Sequence, residues 1–206
     1  MKSPLRLLRG KKFPLIPLSG HFPVICCGLA GREVRIPHVM KLNNLHDALV
    51  HDLQDLFSAE NQLLLALPKM AQAASNEELS AAFEDHLEET EGHIERLEEA
   101  LNLLDATTGG KKCKAMEGLI LEGQKILEED ANDVVRDALI ISIAQKVEHY
   151  EIAGYGTART FAELLGEKEV ADLLQETLNE EAAADEALTE IAESVVNKEA
   201  EMADTE

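Results

Sequence analysis

Glu60, Glu148, Glu151 and Glu181 are carboxylates set on the apolar sides of helical patterns. Glu60 stands in line with Leu53, Leu56, Phe57, Leu63, Leu64 and Leu67, and Glu181 lies on the stripe of Leu174, Thr177, Leu178 and Leu188. Glu148 and Glu151 share a three-and-four spacing with Val134, Ile141, Ala144, Ile152 and Tyr155, the spacing of one helix face. An uncompensated carboxylate there costs several kcal/mol. Asp185 follows Glu181 by one turn, while His86, Glu89 and His93 run along one ridge beside another apolar stripe. Carboxylate oxygens with one or two imidazoles suit a pair of iron or manganese ions, whose charge would neutralise most of the cluster. The alternative is a metal-free polar layer of protonated, hydrogen-bonded acids that fixes helix register.

The candidate metal ligands are therefore Glu60, His86, Glu89, Glu148, Glu151, Glu181 and Asp185. No catalytic residue is assigned. His46, His51 and His149 read as lying off the axis, with His149 able to orient a ligating acid. Cys113 reads as a small core or boundary residue, since no base is placed near it in sequence. Tyr155, one turn beyond Glu151, either fills the core or hydrogen-bonds a carboxylate.

Placing these residues together requires long helices. Leu45, Leu49, Leu53, Leu56, Phe57, Leu63, Leu64 and Leu67 recur near a period of 3.6, with Pro68 expected to kink the end of that helix. Ser75 and Glu78 read as a capping box opening a second helix through Phe83, Leu87, Ile94, Leu97 and Leu101, which "TTGG" at 107–110 ends. A shorter third helix is expected over about 112–129, a fourth over about 132–165 with Gly166 as its stop, and a fifth over about 167–197 burying Val170, Leu174, Leu178, Leu188, Ile191 and Val195. Four long helices pair as two hairpins in an all-α bundle, and the short helix spans the connection between the hairpins. A shift of 91 residues superimposes Glu60 on Glu151, Glu89 on Glu180, and several apolar positions, a weak internal repeat.

Composition agrees with this architecture. The chain of 206 residues has 3% aromatic residues, no Trp, and a formal charge of -21, which argues against nucleic acid or an anionic membrane as partner. No stretch approaches the apolar run of a membrane span. Three cysteines without a Cys-x-x-Cys pair imply neither a disulfide framework nor zinc, and a cytoplasmic location is the default. Residues 1–39 hold seven of the 19 Lys and Arg residues and five of the six prolines. They read as a disordered extension, or as the product of choosing a start codon upstream of Met40. Prolines interrupt the apolar part that a secretory signal would need. The helical domain is expected over 40–198, with an acidic tail over 199–206.

The words "DLFSAENQL", "HLEETEGHIERL", "CKAMEGLI", "AQKVEHYEIAGYGT" and "LLQETLNEEAAADEALT" occur in order. With them, the chain closely resembles the YciE/YciF family of bacterial stress proteins. The resemblance implies a ferritin-like bundle, a homodimer, and a di-metal centre, with di-iron or di-manganese chemistry of oxidase or peroxidase type by analogy with the wider superfamily. That superfamily uses Glu, Glu-x-x-His, Glu, Glu-x-x-His along its four helices. Glu60 and Glu151 fit the lone positions, whereas the second helix reads Thr90-x-x-His93 with Glu89 displaced by one, and the last reads Glu181-x-x-Ala184. His86 is then an alternative imidazole ligand.

Overall fold

The computed structural model describes residues 42–203, all within the unit Met40–Glu206. The expectation for residues 1–39 falls outside the described residues. Helices α1 (Leu45–Ala73), α2 (Glu77–Leu103), α3 (Lys114–Glu128), α4 (Asp133–Leu165) and α5 (Lys168–Ile191) follow in order. A π-helical stretch, Ala192–Val196, leads into α6 (Asn197–Met202), so helix continues past the end expected for the fifth helix near 197. Among the described residues there is no strand.

Side-chain caps fix where the helices begin. The Asn44 side chain accepts from the Asp47 N–H at 2.8 Å, Asn76 from Leu79 at 3.0 Å, and Asn132 from Val134 at 3.1 Å. The expected cap at Ser75 is corrected: Asn76 caps α2, because Ser75 is engaged elsewhere. Its backbone N–H and hydroxyl donate to the buried Asp137 at 2.9 and 2.6 Å, joined by the Asn76 N–H at 2.8 Å. This carboxylate pins the α1–α2 turn to α4. Pro68 lies inside α1, which runs on to Ala73. Gly166 closes α4 in the left-handed conformation at φ 80°, where a Cβ would be strained.

α1 packs on α2 and α4 on α5 as two hairpins; α2 meets α5, α1 meets α4, and α3 lies across α4 and α1. The apolar core forms two clusters. One gathers Ala59, Leu63, Phe83, Met116, Ile141, Val147 and Leu188; the other gathers Leu53, Leu56, Leu97, Leu101, Tyr155 and Leu174. Each fully buried Leu contributes about 1.5–3 kcal/mol relative to exposure. On every long helix the chain passes from one cluster to the other, and the segment between them sits at mid-bundle. That interval holds His86 to His93 on α2, Glu148 and Glu151 on α4, and Glu181 on α5, while Glu60 follows directly on the change-over at Ala59 on α1.

Val196 is buried and Val195 only half-buried, the reverse of the expected face. The π-helical stretch adds a residue to the turn and rotates the following side chains, so a strict 3.6 period selects the wrong valine.

Candidate metal centre

Between the two apolar clusters, four carboxyl and two imidazole side chains are enclosed. Glu60, His93, Glu151 and Glu181 are 0% exposed, Glu148 is 3% and His86 5%. They form two groups whose ligand atoms lie within 4.8 Å of one another: His86, Glu148, Glu151 and Glu181 in one, Glu60, His93 and Glu181 in the other. Glu181 belongs to both. Its Oε1 is 3.1 Å from His93 Nδ1 and its Oε2 is 3.7 Å from His86 Nε2, so its two oxygens face the two imidazoles. His86 Nε2 is also 3.6 Å from Glu148 Oε2, and His93 Nδ1 is 3.4 Å from Glu60 Oε1.

The outer nitrogen of each histidine is engaged. His86 Nδ1 meets Glu89 Oε2 at 3.2 Å, and His93 Nε2 meets Glu180 Oε2 at 3.0 Å. Arg96 holds Glu180 through Nη2, while its Nε donates to Thr177 Oγ1 at 2.9 Å. Such outer partners fix ring orientation and leave the inner nitrogen available as a donor to a metal. Tyr155 donates to Glu60 Oε1, fixing that carboxylate as well. Thr90, in place of a carboxylate, spends its hydroxyl on the His86 carbonyl at 2.9 Å.

Burial is the largest influence on Glu60, Glu148, Glu151 and both imidazoles. It raises Glu60, and it raises Glu148 and Glu151 well above the ordinary carboxylate range, with nearby carboxylates adding to the effect. Burial opposes charge on the imidazoles, but hydrogen bonds and facing anions outweigh it. His86 is raised to about 9 through Glu89, Glu148 and Glu181, and His93 to about 10 through Glu181 and Glu60.

The donor set fits a metal pair on an independent ground. Eight buried side-chain atoms of these six residues have no hydrogen-bond partner: Glu60 Oε2, His86 Nε2, His93 Nδ1, Glu148 Oε2, and both oxygens of Glu151 and of Glu181. His93 Nδ1 is 3.1 Å from a carboxylate oxygen yet poorly aligned for a hydrogen bond, and His86 Nε2, at 3.6 and 3.7 Å from two others, is beyond hydrogen-bond reach. Orphaned donors and acceptors cost free energy when buried, and coordination to cations satisfies them together. Two divalent cations would also balance the four carboxylates with both imidazoles neutral.

Of the residues expected at the centre, Glu60, His86, Glu148, Glu151 and Glu181 come together. Glu89 and Asp185 do not. The Glu89 side chain is 44% exposed and turned to the outer face of His86. Asp185 accepts from Gln145 Nε2 at 3.3 Å and pairs with the exposed His149 at 3.2 Å, off the axis, because one further turn carries it out from between the helices. His93, omitted from the candidate ligands, lies at the heart of the cluster. Its signal was the spacing of seven from His86, two turns on one face. Tyr155 does both things left open for it, filling the core and bonding a carboxylate. Cys113 is buried as the cap of α3, with its Sγ 3.0 Å from the Tyr150 hydroxyl, which donates to Asp55 at 2.5 Å.

Residues 44–201 match a family described as a domain of unknown function, DUF892. Protein YciF of Escherichia coli is 50% identical over 163 residues, spanning 79% of this chain and 98% of that protein. The chain belongs to the YciE/YciF family. The crystal structure of the E. coli stress protein YciF superposes with a TM-score of 0.74 at 50% identity, covering 76% of this chain and 99% of that one. A Rhodopseudomonas palustris protein follows with a TM-score of 0.70 at 42% identity, covering 74% and 96%. Ferritin-like, diiron-carboxylate proteins from Bacillus anthracis align at 0.57 with 18% identity, covering 73% and 99%, a likeness of fold alone. This YciE/YciF chain thus has the ferritin-like fold. Among its described residues no helix is long and apolar enough to cross a membrane.

Proposed function

We propose that this protein holds a di-metal centre, iron foremost with manganese as the alternative, in the polar layer between its two apolar clusters. The observation that carries the reading is the convergence of eight unpartnered buried donor and acceptor atoms on six side chains from all four long helices. His93, Glu60 and Glu181 would hold one ion, and His86, Glu148, Glu151 and Glu181 the other. Bound there, a di-iron pair would supply electrons for reaction with dioxygen or peroxide. Glu89 and Glu180 hold the imidazole rings in position, Tyr155 holds Glu60, and the apolar clusters above and below exclude bulk water along the bundle axis. A role in stress, the description given to the E. coli relative, is consistent with this chemistry, and the homodimer implied by the family resemblance belongs to the same reading.

Elemental mass spectrometry tests it, on untagged protein purified without chelator after growth with iron and manganese together. About two metal ions per chain are expected, as in di-metal carboxylate bundles. No metal, even after anaerobic reconstitution with ferrous iron, would overturn the reading. A sizing column should give about twice the chain mass for the dimer.

A second reading is a metal-free structural protein. Its support is that two imidazoliums facing two ionised carboxylates, with the other two carboxyls protonated, would leave the layer nearly neutral without any ion. It predicts a melting temperature unaffected by a chelator.

A further inference from the structure

The two histidines differ in what lies above them. Over His86 and Glu148 a pocket of about 210 Å³ opens between α2 and α5, walled by Ala82, Phe83, Ala183, Ala184, Ala187 and Leu188, with Asp85 and Glu89 at its rim. Asp85, Glu89, Ala183 and Ala187 are exposed, whereas His86 and Glu148 at its floor are more than nine-tenths buried. Each floor residue keeps one atom without a hydrogen bond, Nε2 and Oε2. The pocket exists because α5 presents three alanines where longer side chains would close on α2. It contains no Lys or Arg among its lining residues.

We propose that this pocket is the port through which divalent cations reach the centre, with Asp85 and Glu89 as the collecting rim and His86 and Glu148 as the first inner donors. The proposal rests on the metal-centre reading above. The pocket has room for several waters, so a cation arrives with much of its hydration and exchanges water for nitrogen and oxygen at the floor. An acidic rim over low-dielectric walls concentrates cations and repels anions, and the net charge of -21 acts in the same direction. On the His93 side, Glu180 and Arg96 cover the ring, and the ion held there passes first through the His86 side.

Stopped-flow uptake of Co2+, followed by its visible absorption, tests the port on the full chain. Ala184→Leu and Ala187→Leu should slow uptake about tenfold or more while the cobalt content at equilibrium stays that of the parent. Asp85→Lys should slow uptake at low salt and converge on the parent rate at high salt, as screening removes the steering. Parent rates in all three variants would overturn the port and leave the centre intact. Should the leucine variants fail to fold, Asp85→Lys decides alone: a parent rate at low salt overturns the port. A parent protein that takes up no cobalt would overturn the metal reading itself, an outcome distinct from the others.

Discussion

His93 and His86 lie two turns apart on the same helix, within one polar layer, and meet different surroundings. His93 is fully enclosed, its outer nitrogen held by Glu180, which Arg96 holds in turn. His86 is held by Glu89, a side chain that is 44% exposed, and lies under a pocket lined with alanine. Enclosure shuts His93 away from solvent, and in the proposed centre the pocket would make the His86 half the exchangeable one. The same residue type is thereby given two roles by what packs over it.

The largest effect tests what the halves share. Glu181→Gln replaces one of the two oxygens that face the imidazoles, and metal content measured by elemental mass spectrometry should fall to near zero; Glu60→Gln with Glu151→Gln should do the same while far-ultraviolet circular dichroism shows retained helix. Loss of one ion only in Glu181→Gln would show that the halves load independently. Next in size is the contrast between the histidines. His93→Ala leaves a dry vacancy, whereas in His86→Ala a water from the pocket can take the imidazole's place. Metal affinity should fall at least about tenfold further in the first than in the second, in keeping with the cost of unsatisfied buried groups. Equal losses by competitive chelator titration would erase the distinction.

Proton linkage gives a third, smaller effect. His86 and His93 have values raised to about 9 and about 10, above the ordinary histidine value, and Glu60, Glu148 and Glu151 are raised as well. The folded metal-free state therefore binds more protons than the unfolded chain over this range, and its stability must decline as pH rises. For the carboxylates the decline starts above the unfolded value near 4.5; for the histidines it runs from about 6.5 through 9 and 10. Metal competes with these same protons, so its stabilisation grows with pH. Calorimetry should show the gap in melting temperature between metal-loaded and metal-free protein widening from pH 6 to pH 9. A constant gap would break the link between the raised groups and the metal.

The smallest effect separates the outer partners. Loss of an outer hydrogen bond costs about 10–100-fold in metal affinity. Glu180→Gln, at the enclosed histidine, should approach the upper figure, and Glu89→Gln, at the open one, the lower. A reversed order would place the more tightly held half at His86.

Much of this was legible in the chain itself. Helical periodicity gave the four long helices and the short connecting one, and acids on apolar faces at Glu60, Glu148, Glu151 and Glu181 marked the polar layer. The shift of 91 residues paired Glu89 with Glu180, and those two are the outer partners of the two histidines. What failed were inferences that need the third dimension. Glu89 and Asp185 have the right chemistry and nearly the right phase, but one position around a helix is about 100°, enough to turn a ligand into an outer partner. Ser75 has the right chemistry for a cap, and Asp137, 62 residues away, claims it.

The sequence by itself determined which faces are apolar, how long the helices run, and that carboxylates sit on the buried side, because periodicity and residue type are local properties. Only the tertiary structure decided which histidine nitrogen faces inward, that Glu181 is shared between two groups, and that the alanines of α5 leave a pocket over His86. Those features depend on how helices from distant parts of the chain approach one another, and the approach is set by packing of the two apolar clusters rather than by the polar residues between them.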